Sequence, residues 1–489
     1  MIEAKDLVIA ASGTLLDALT ALDRTGNGFL MVVDETRRLV GVVTDGDVRR
    51  ALLRGRGNET RLGDVMRSNC VSLPVDTPTS EIRSRIKGSI SFIPLVDVEG
   101  RPVDYASPSR QHRHPVAEPR LAGNESLYVE ECVRTGWISS QGRFVKQFEE
   151  MMAAFHEVPY ALAVSNGTVA LHLALVSLGV RRGDEVIVPD FTFAATANAV
   201  IHAGATPVLV DVDPETWVMT PEAVERAINA RTRAIIPVHL YGHPCRMTEI
   251  CELAKRYNLA VVEDCAESFG ARYDGRIAGS FGDAGCFSFF GNKTITTGEG
   301  GMVLFQDRSL YERARCLRDH GMSAQRRYWH EEVGYNYRLT NLQAAIGVAQ
   351  MERVDEIQAG KQKLALEYLR HLGGLEGITF PPCGERADPV CWLYTVMIDE
   401  LLGLTREEVS CRLLRNGIET RPVFHPLHVM PAFREYAVGG DYPVANSLSE
   451  RGLSLPSATT LSIEDIARIA STIRAITQVR RMTVEATNL

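Results

Sequence analysis

The chain has 489 residues, 45% of them apolar and 23% charged, which is the balance of a globular protein with length for about three ordinary domains. A formal net charge of -8 offers no basic surface of the kind polyanions need, so nucleic acid is not an expected partner. The ten cysteines form no C-x-x-C pair, so neither a disulfide framework nor a zinc site is expected, and they read as core thiols of a reducing compartment.

At the N-terminus Glu3 and Asp6 precede a short apolar run where an export signal would carry a basic start, and a cytoplasmic protein is expected. Residues 15–22 have helical spacing, whereas 29–33, 39–43 and 93–96 read as strands. Two acidic turns, Asp34-Glu35 and Asp97 to Gly100, each follow a β run; they predict an imperfect repeat and hence a paired module over 1–106. Residues 107–119 are polar and proline-containing without an apolar period, which predicts a linker over 107–117.

From residue 118 apolar runs at 186–188, 207–210, 234–238, 259–262 and 286–290 alternate with amphipathic segments. The pattern predicts an α/β large domain over 118–365, its sheet mainly parallel and flanked by helices. The most apolar long stretch, 160–180, is broken by Ser165, Asn166, Gly167 and Thr168, so it reads as strand, turn and helix rather than a membrane span. Asp211, His239 and Asp264 end apolar runs, at the sheet edge where ligands of such folds bind. Beyond 365 the pattern becomes a smaller α+β domain, 366–489, with helices at 406–415 and 463–476.

Three segments carry chemistry. In Ser165-Asn-Gly-Thr-Val-Ala-Leu171 a glycine and a hydroxyl stand at a strand-to-helix turn, a place for a phosphate or simply for a helix cap. Asp264, closing Val261-Val-Glu-Asp264, suits either a cationic ring nitrogen or the cap of the next helix. Lys293 leaves an apolar strand for the Gly-rich loop TITTGEGG, where partial desolvation favours a free amine able to form a Schiff base; an ordinary surface lysine is the alternative.

In the order SNGTVAL, VPDFTFAATANAV, PVHLYG, VVEDCAESFGA, FSFFGNKTITTGEGG and GYNYRLTNLQAAIG, from about Pro119 to the C-terminus, the chain resembles the DegT/DnrJ/EryC1/StrS family of sugar aminotransferases, fold-type I enzymes that use pyridoxal 5'-phosphate. The resemblance implies that Lys293 binds the cofactor as a Schiff base and then shuttles the proton, and that Asp264 pairs with the pyridine nitrogen. It places Phe193 on the ring, Glu267 beside the 3' oxygen where many relatives have Gln, and Gly167, Thr168 and Ser288 on the phosphate. A Glu there is expected to be protonated or to share the cofactor's proton. Asn336 is implied to reach the site of a neighbouring subunit, so a homodimer, or a tetramer of paired dimers, is expected. Relatives that dehydrate the sugar carry His in place of the lysine, so Lys293 favours transamination.

RLAGNESLYVEECVRTGWISSQGRFV, RRYWHEEVGYNYRLTN and GIETRPVFHPLH are most similar to members that move the amine of glutamate to C4 of GDP-4-keto-6-deoxymannose. Trp137, His239, Tyr328, Arg421 and His425 are the candidate contacts of the nucleotide-sugar or glutamate, with packing or a surface ion pair the alternative for each. A UDP- or dTDP-linked keto-sugar and a non-catalytic cofactor-binding regulator are the rival readings. In the front module Gly41-Val-Val-Thr-Asp-Gly-Asp47 resembles a CBS domain pair, which implies that Thr44 and Asp47 hold the phosphate and ribose of an adenine nucleotide. The second repeat is incomplete, since RPVDYAS follows Gly100, and a structural or dimerising module remains the alternative.

Overall fold

The computed structural model describes residues 4–77, 81–82, 85–86, 90, 92–107, 114–384, 386–437 and 439–487, with side chains as far as 477. Most of the expected linker, 108–113, lies outside the described residues. The chain divides into two compact units, Met1–His114 with Glu407–Glu419, and Pro115–Arg406 with Thr420–Leu489.

In the first unit two three-stranded sheets follow one plan. Val8–Ala10 runs parallel to Phe29–Val33, which pairs antiparallel with Leu39–Thr44; Leu73–Pro74, Ile93–Val96 and Pro102–Ala106 repeat the arrangement. The two hairpin turns are also built alike. Asp34 Oδ1 accepts from the N–H groups of Thr36 and Arg38, and Asp97 Oδ1 from those of Glu99 and Arg101. A side-chain carboxylate that takes backbone N–H groups is what an acidic first turn residue supplies. Phe29 stacks on Phe92 at 3.8 Å and meets Tyr105 edge-on, so the two repeats share aromatic packing.

The helix Arg406–Arg415 lies where its periodicity predicts it, but residues 407–419 belong to this first unit and not to the C-terminal domain. The His114 N–H donates to Gly417 O at 2.8 Å and the Glu419 N–H to His114 O at 3.0 Å. Backbone pairing of this kind leaves no trace in side-chain pattern.

The second unit is organised by a seven-stranded sheet in the order Tyr160–Val164, Gly301–Phe305, Ala284–Ser288, Ala260–Asp264, Thr232–Ile235, Glu185–Pro189, Thr206–Val210. Gly301–Phe305 is antiparallel to both neighbours and the remaining pairs are parallel. Several strands are buried along their whole length, as unbroken apolar runs require in a sheet covered on both faces. The helix Gly167–Ser177 is apolar on nearly every side and buried from Ala170 to Leu175. Because Gly301–Phe305 runs backwards, its first residue meets the last residues of Tyr160–Val164 and Ala284–Ser288. A Cβ on Gly301 would stand 2.5 Å from Asn166 O, so only glycine lets this junction close.

The large-domain boundary expected at 365 falls inside the continuous helix Val354–Leu372. Beyond it Ile378–Thr379, Thr395–Ile398, Gly452–Ser454 and Arg421–Pro422 form an antiparallel sheet, and the last helix, Ile463–Thr487, extends past its expected end at 476. No helix among the described residues is long and apolar enough to cross a membrane.

Candidate active site

The carboxyl ends of the parallel strands and the loops after them bring Asp264, Glu267, Ser288 and Lys293 to one edge of the sheet. Asp264 is the last residue of its strand and only 5% exposed; its Oδ2 accepts from Thr196 Oγ1 at 2.8 Å and its Oδ1 from the Ala266 N–H at 3.2 Å. One residue beyond the helical start at Ala195, Thr196 thus fixes the carboxylate's direction, a role the sequence did not single out. Lys293 turns out of the strand into a short loop held by its own N–H to Phe290 O, and its Nζ lies 3.6 Å from Glu267 Oε1. Glu267 is held in turn by the N–H of Tyr241 at 2.9 Å.

Tyr241 makes that bond from a left-handed backbone, φ 51, in the turn Leu240–Gly242. Its ring stacks on Trp392 at 6.0 Å and on Phe424 at 5.5 Å, and its hydroxyl accepts from the Phe424 N–H at 3.3 Å. Phe193, 59% exposed, lies 5.6 Å from Phe424. Trp392 carries the Lys293 amine 3.9 Å above its ring. These aromatic walls make the site a hydrophobic slot with carboxylates and an amine at its floor.

The phosphate-type corner is defined by close approach. Asn166 caps the helix Gly167–Ser177 by accepting from the Val169 N–H at 2.9 Å, which leaves the N–H groups of Gly167 and Thr168 at the positive end of the helix for an anion. A Cβ on Gly167 would fall 2.8 Å from Ser288 Cβ. Gly167→Ala is therefore expected to push the helix terminus from Ser288; on the sequence-based expectation that this corner takes the phosphate of pyridoxal 5'-phosphate, its dissociation constant should rise by about tenfold or more, with the fold intact by circular dichroism.

Burial sets the charge states. It pushes the Asp264 carboxyl up, opposed by the Thr196 hydroxyl, the Ala266 N–H and Lys293. It raises Glu267 to about 7, opposed by Lys293 and the Tyr241 N–H. It lowers Lys293, opposed by Glu267 and Asp264. In each case the low dielectric disfavours the charged form.

For Glu267 the folded protein holds its proton to higher pH than the unfolded chain does, so the stabilisation is complete below about 4.5 and is lost as pH rises through about 7. Glu267→Gln does not titrate. In cofactor-free protein the variant should gain on the wild type as pH rises through that window, by on the order of 2–3 kcal/mol, then level off; a difference in melting temperature that stays flat with pH would refute this charge state.

The other candidates are distributed more widely. Arg421 is exposed on its strand but close enough to Lys293 for its guanidinium to oppose the charge there. Trp137, Tyr328 and His425 are exposed, and no hydrogen bond among the described residues joins them to the Lys293 cluster. Asn336 is exposed on a loop bridged to Asp319.

His239 requires correction as a substrate contact. It is fully buried, its Nδ1 accepts the Cys245 N–H at 3.0 Å, and its Nε2–H is left to donate to Glu263 at 3.1 Å. Glu263 takes three further N–H groups, from Gly279, Phe281 and Gly282, so His239 belongs to a closed structural network beneath the site.

Thr44 and Asp47 stand together at one helix start. Thr44 caps the helix Asp45–Leu53 in a reciprocal box with Asp47, whose other oxygen takes Arg50 and Arg67.

A profile of the DegT/DnrJ/EryC1/StrS aminotransferase family matches residues 119–474, and CBS domain profiles match 2–54 and 62–108. GDP-perosamine synthase of Caulobacter vibrioides is 50% identical over 355 residues, 72% of this chain and 95% of that protein. GDP-perosamine synthase of Escherichia coli O157:H7 is 47% identical over 359 residues, 73% of this chain and 97% of that protein. Among solved structures, Streptomyces venezuelae DesV in complex with a ketimine intermediate superposes with a TM-score of 0.69 at 38% identity, over 72% of this chain and 94% of that one.

Proposed function

Because the chain belongs to the DegT/DnrJ/EryC1/StrS aminotransferase family and carries two CBS domains ahead of it, we propose that it binds pyridoxal 5'-phosphate at Lys293 and moves the amine of glutamate to C4 of GDP-4-keto-6-deoxymannose, giving GDP-perosamine. The observation that carries the reading is the largely enclosed amine of Lys293, 3.6 Å from the buried carboxyl of Glu267 and within electrostatic reach of the buried Asp264. The choice of sugar is supported by two relatives, near 50% identical over nearly their whole length, that are named for this product.

The residues present fit the cofactor. Gly167, Thr168 and Ser288 would hold its phosphate, Asp264 the ring nitrogen, Phe193 one ring face, and Glu267 the 3' oxygen. When bound, the cofactor supplies an electron sink for the carbon that loses its proton. Lys293 would supply the amine and then carry the proton, for which the pKa that burial lowers is the useful state. Asp264 would hold a negative charge beside the ring nitrogen where water cannot compete and so favour its protonated form, and Thr196 keeps that carboxylate pointed. Glu267, anchored by Tyr241 and raised by burial to about 7, keeps its proton to higher pH than an ordinary carboxyl and in that form would donate to an oxygen it would repel if ionised.

Glutamate and the keto-sugar use one site in turn, since there is one lysine to serve both halves. Arg421, beside Lys293, is suited to a carboxylate or phosphate of either. Asn336, which the family resemblance brings to a neighbouring subunit's site, is exposed on its loop, as service to a second copy in a homodimeric enzyme requires.

The test is a coupled assay for 2-oxoglutarate with glutamate and a panel of keto-sugars. GDP-4-keto-6-deoxymannose should be the best acceptor. Faster transfer to a UDP- or dTDP-linked 4-keto-6-deoxy sugar would overturn the sugar assignment, and no transfer to any would overturn the reaction.

A further inference from the structure

Trp392 has two features that no packing role alone requires. Its indole face stands under the Lys293 amine, 3.9 Å from Nζ to ring centroid, and it is locked at both ends. The indole N–H donates to Asn292 O at 2.8 Å, the residue before the lysine, and Lys361 Nζ donates to Trp392 O at 2.8 Å and to Ser457 O at 2.6 Å. Tyr241 lies parallel to the ring within 15° at 6.0 Å, closing the other side. At 3% exposure the indole has no freedom to swing from under the amine.

We propose that Trp392 is a positioning residue for Lys293: its π face stabilises the cationic form of the side-chain nitrogen, and its N–H fixes the backbone from which that nitrogen is presented. The role of Lys293 rests on the aminotransferase reading; the contact with Trp392 does not. A cation over an indole face in a water-poor site is attracted by the ring quadrupole, most strongly for tryptophan. The amine therefore sits between two stabilisers of unlike kind, the Glu267 carboxylate at 3.6 Å and the indole at 3.9 Å.

The charged groups around the nitrogen are Glu267 and Asp264, which favour the cation, and Arg421, which opposes it. Lys361, Glu118 and Arg120 line a small cavity with Lys293, and the Tyr241 hydroxyl is engaged by Phe424. Against these, the indole offers a contact that does not titrate. It keeps the nitrogen partly cationic without adding an acid that would compete for the proton being moved.

The experiment is the pH dependence of Lys293 labelling by formaldehyde and cyanoborohydride in the full-length chain freed of cofactor, read by mass spectrometry of the Lys293 peptide. Labelling follows the neutral amine, so its midpoint reports the nitrogen's proton affinity independently of its absolute rate. In Trp392→Leu the midpoint should fall by about half a unit to one and a half units. In Trp392→Phe, which keeps a weaker π face, it should fall by less.

A midpoint that is unchanged or higher in either variant, with circular dichroism as in the wild type, overturns the proposal; if the Leu variant does not fold, the Phe variant decides. The labelling needs no turnover. Failure of the aminotransferase reading would appear in the coupled assay and leave this midpoint as it is.

Discussion

Lys293→Ala is expected to reduce amine transfer by at least about 10⁴-fold while leaving the fold and the melting curve of the cofactor-free protein close to wild type. On the proposed function two roles are lost at once, the nucleophile and the proton carrier, and proton transfer by a positioned group is worth about 10²–10⁴ by itself. The amine is not a packing group. It leaves Glu267 without its nearest cation, 3.6 Å away, and burial then holds that carboxyl in its neutral form, so the variant keeps no stranded charge. Turnover with glutamate and the preferred keto-sugar measures the loss. Retention of more than about a hundredth of the wild-type rate would move the proton-carrying role elsewhere.

Asp264→Asn should cost about 10²–10³-fold in turnover at saturating cofactor, with weaker cofactor binding as well. The substitution preserves the volume and an acceptor for Thr196 Oγ1, now 2.8 Å from Oδ2, but removes the charge. Taking one partner from a buried charged pair typically costs about 3–5 kcal/mol. With Asp264 only 5% exposed, solvent cannot replace the lost anion. Unchanged rates in the Asn variant would mean that the carboxylate acts only as a strand-end acceptor for Thr196 and Ala266.

Much of the architecture was legible in the order of apolar runs. The Asp34 and Asp97 turns marked the internal repeat because a carboxylate can replace a backbone acceptor only at one place in such a turn, and both hairpins use it. Lys293, Asp264 and Gly167 were legible because each sits at a junction between a strand and a loop or helix, where residue type is restricted. Strand limits were less so: Ala260–Asp264 and Ala284–Ser288 are offset from the expected 259–262 and 286–290, since a buried strand continues through a carboxylate when its backbone finds partners.

What the pattern could not carry were relations across the chain. His239 ended an apolar run as a ligand-facing residue would, but Cys245 and Glu263 consume both ring nitrogens. Residues 407–419 read as one more helix of the C-terminal domain, and two bonds to His114 place them elsewhere. Trp392 and Thr196 touch Lys293 and Asp264 from about 100 and 68 positions away, a separation at which composition and spacing say nothing. Tyr241 stood within PVHLYG, yet the feature that matters, a left-handed backbone aiming its N–H at Glu267, has no sequence signature in a non-glycine residue.

The most direct test of the account is to reduce the purified, cofactor-loaded full-length enzyme with borohydride and map the modified peptide by mass spectrometry. The account predicts one pyridoxyl-phosphate adduct, on Lys293, that is absent when the protein is first treated with glutamate, because the cofactor then leaves the lysine as its amine form. An adduct on any other lysine, or none at all on Lys293 in a protein that transfers amines, would contradict it.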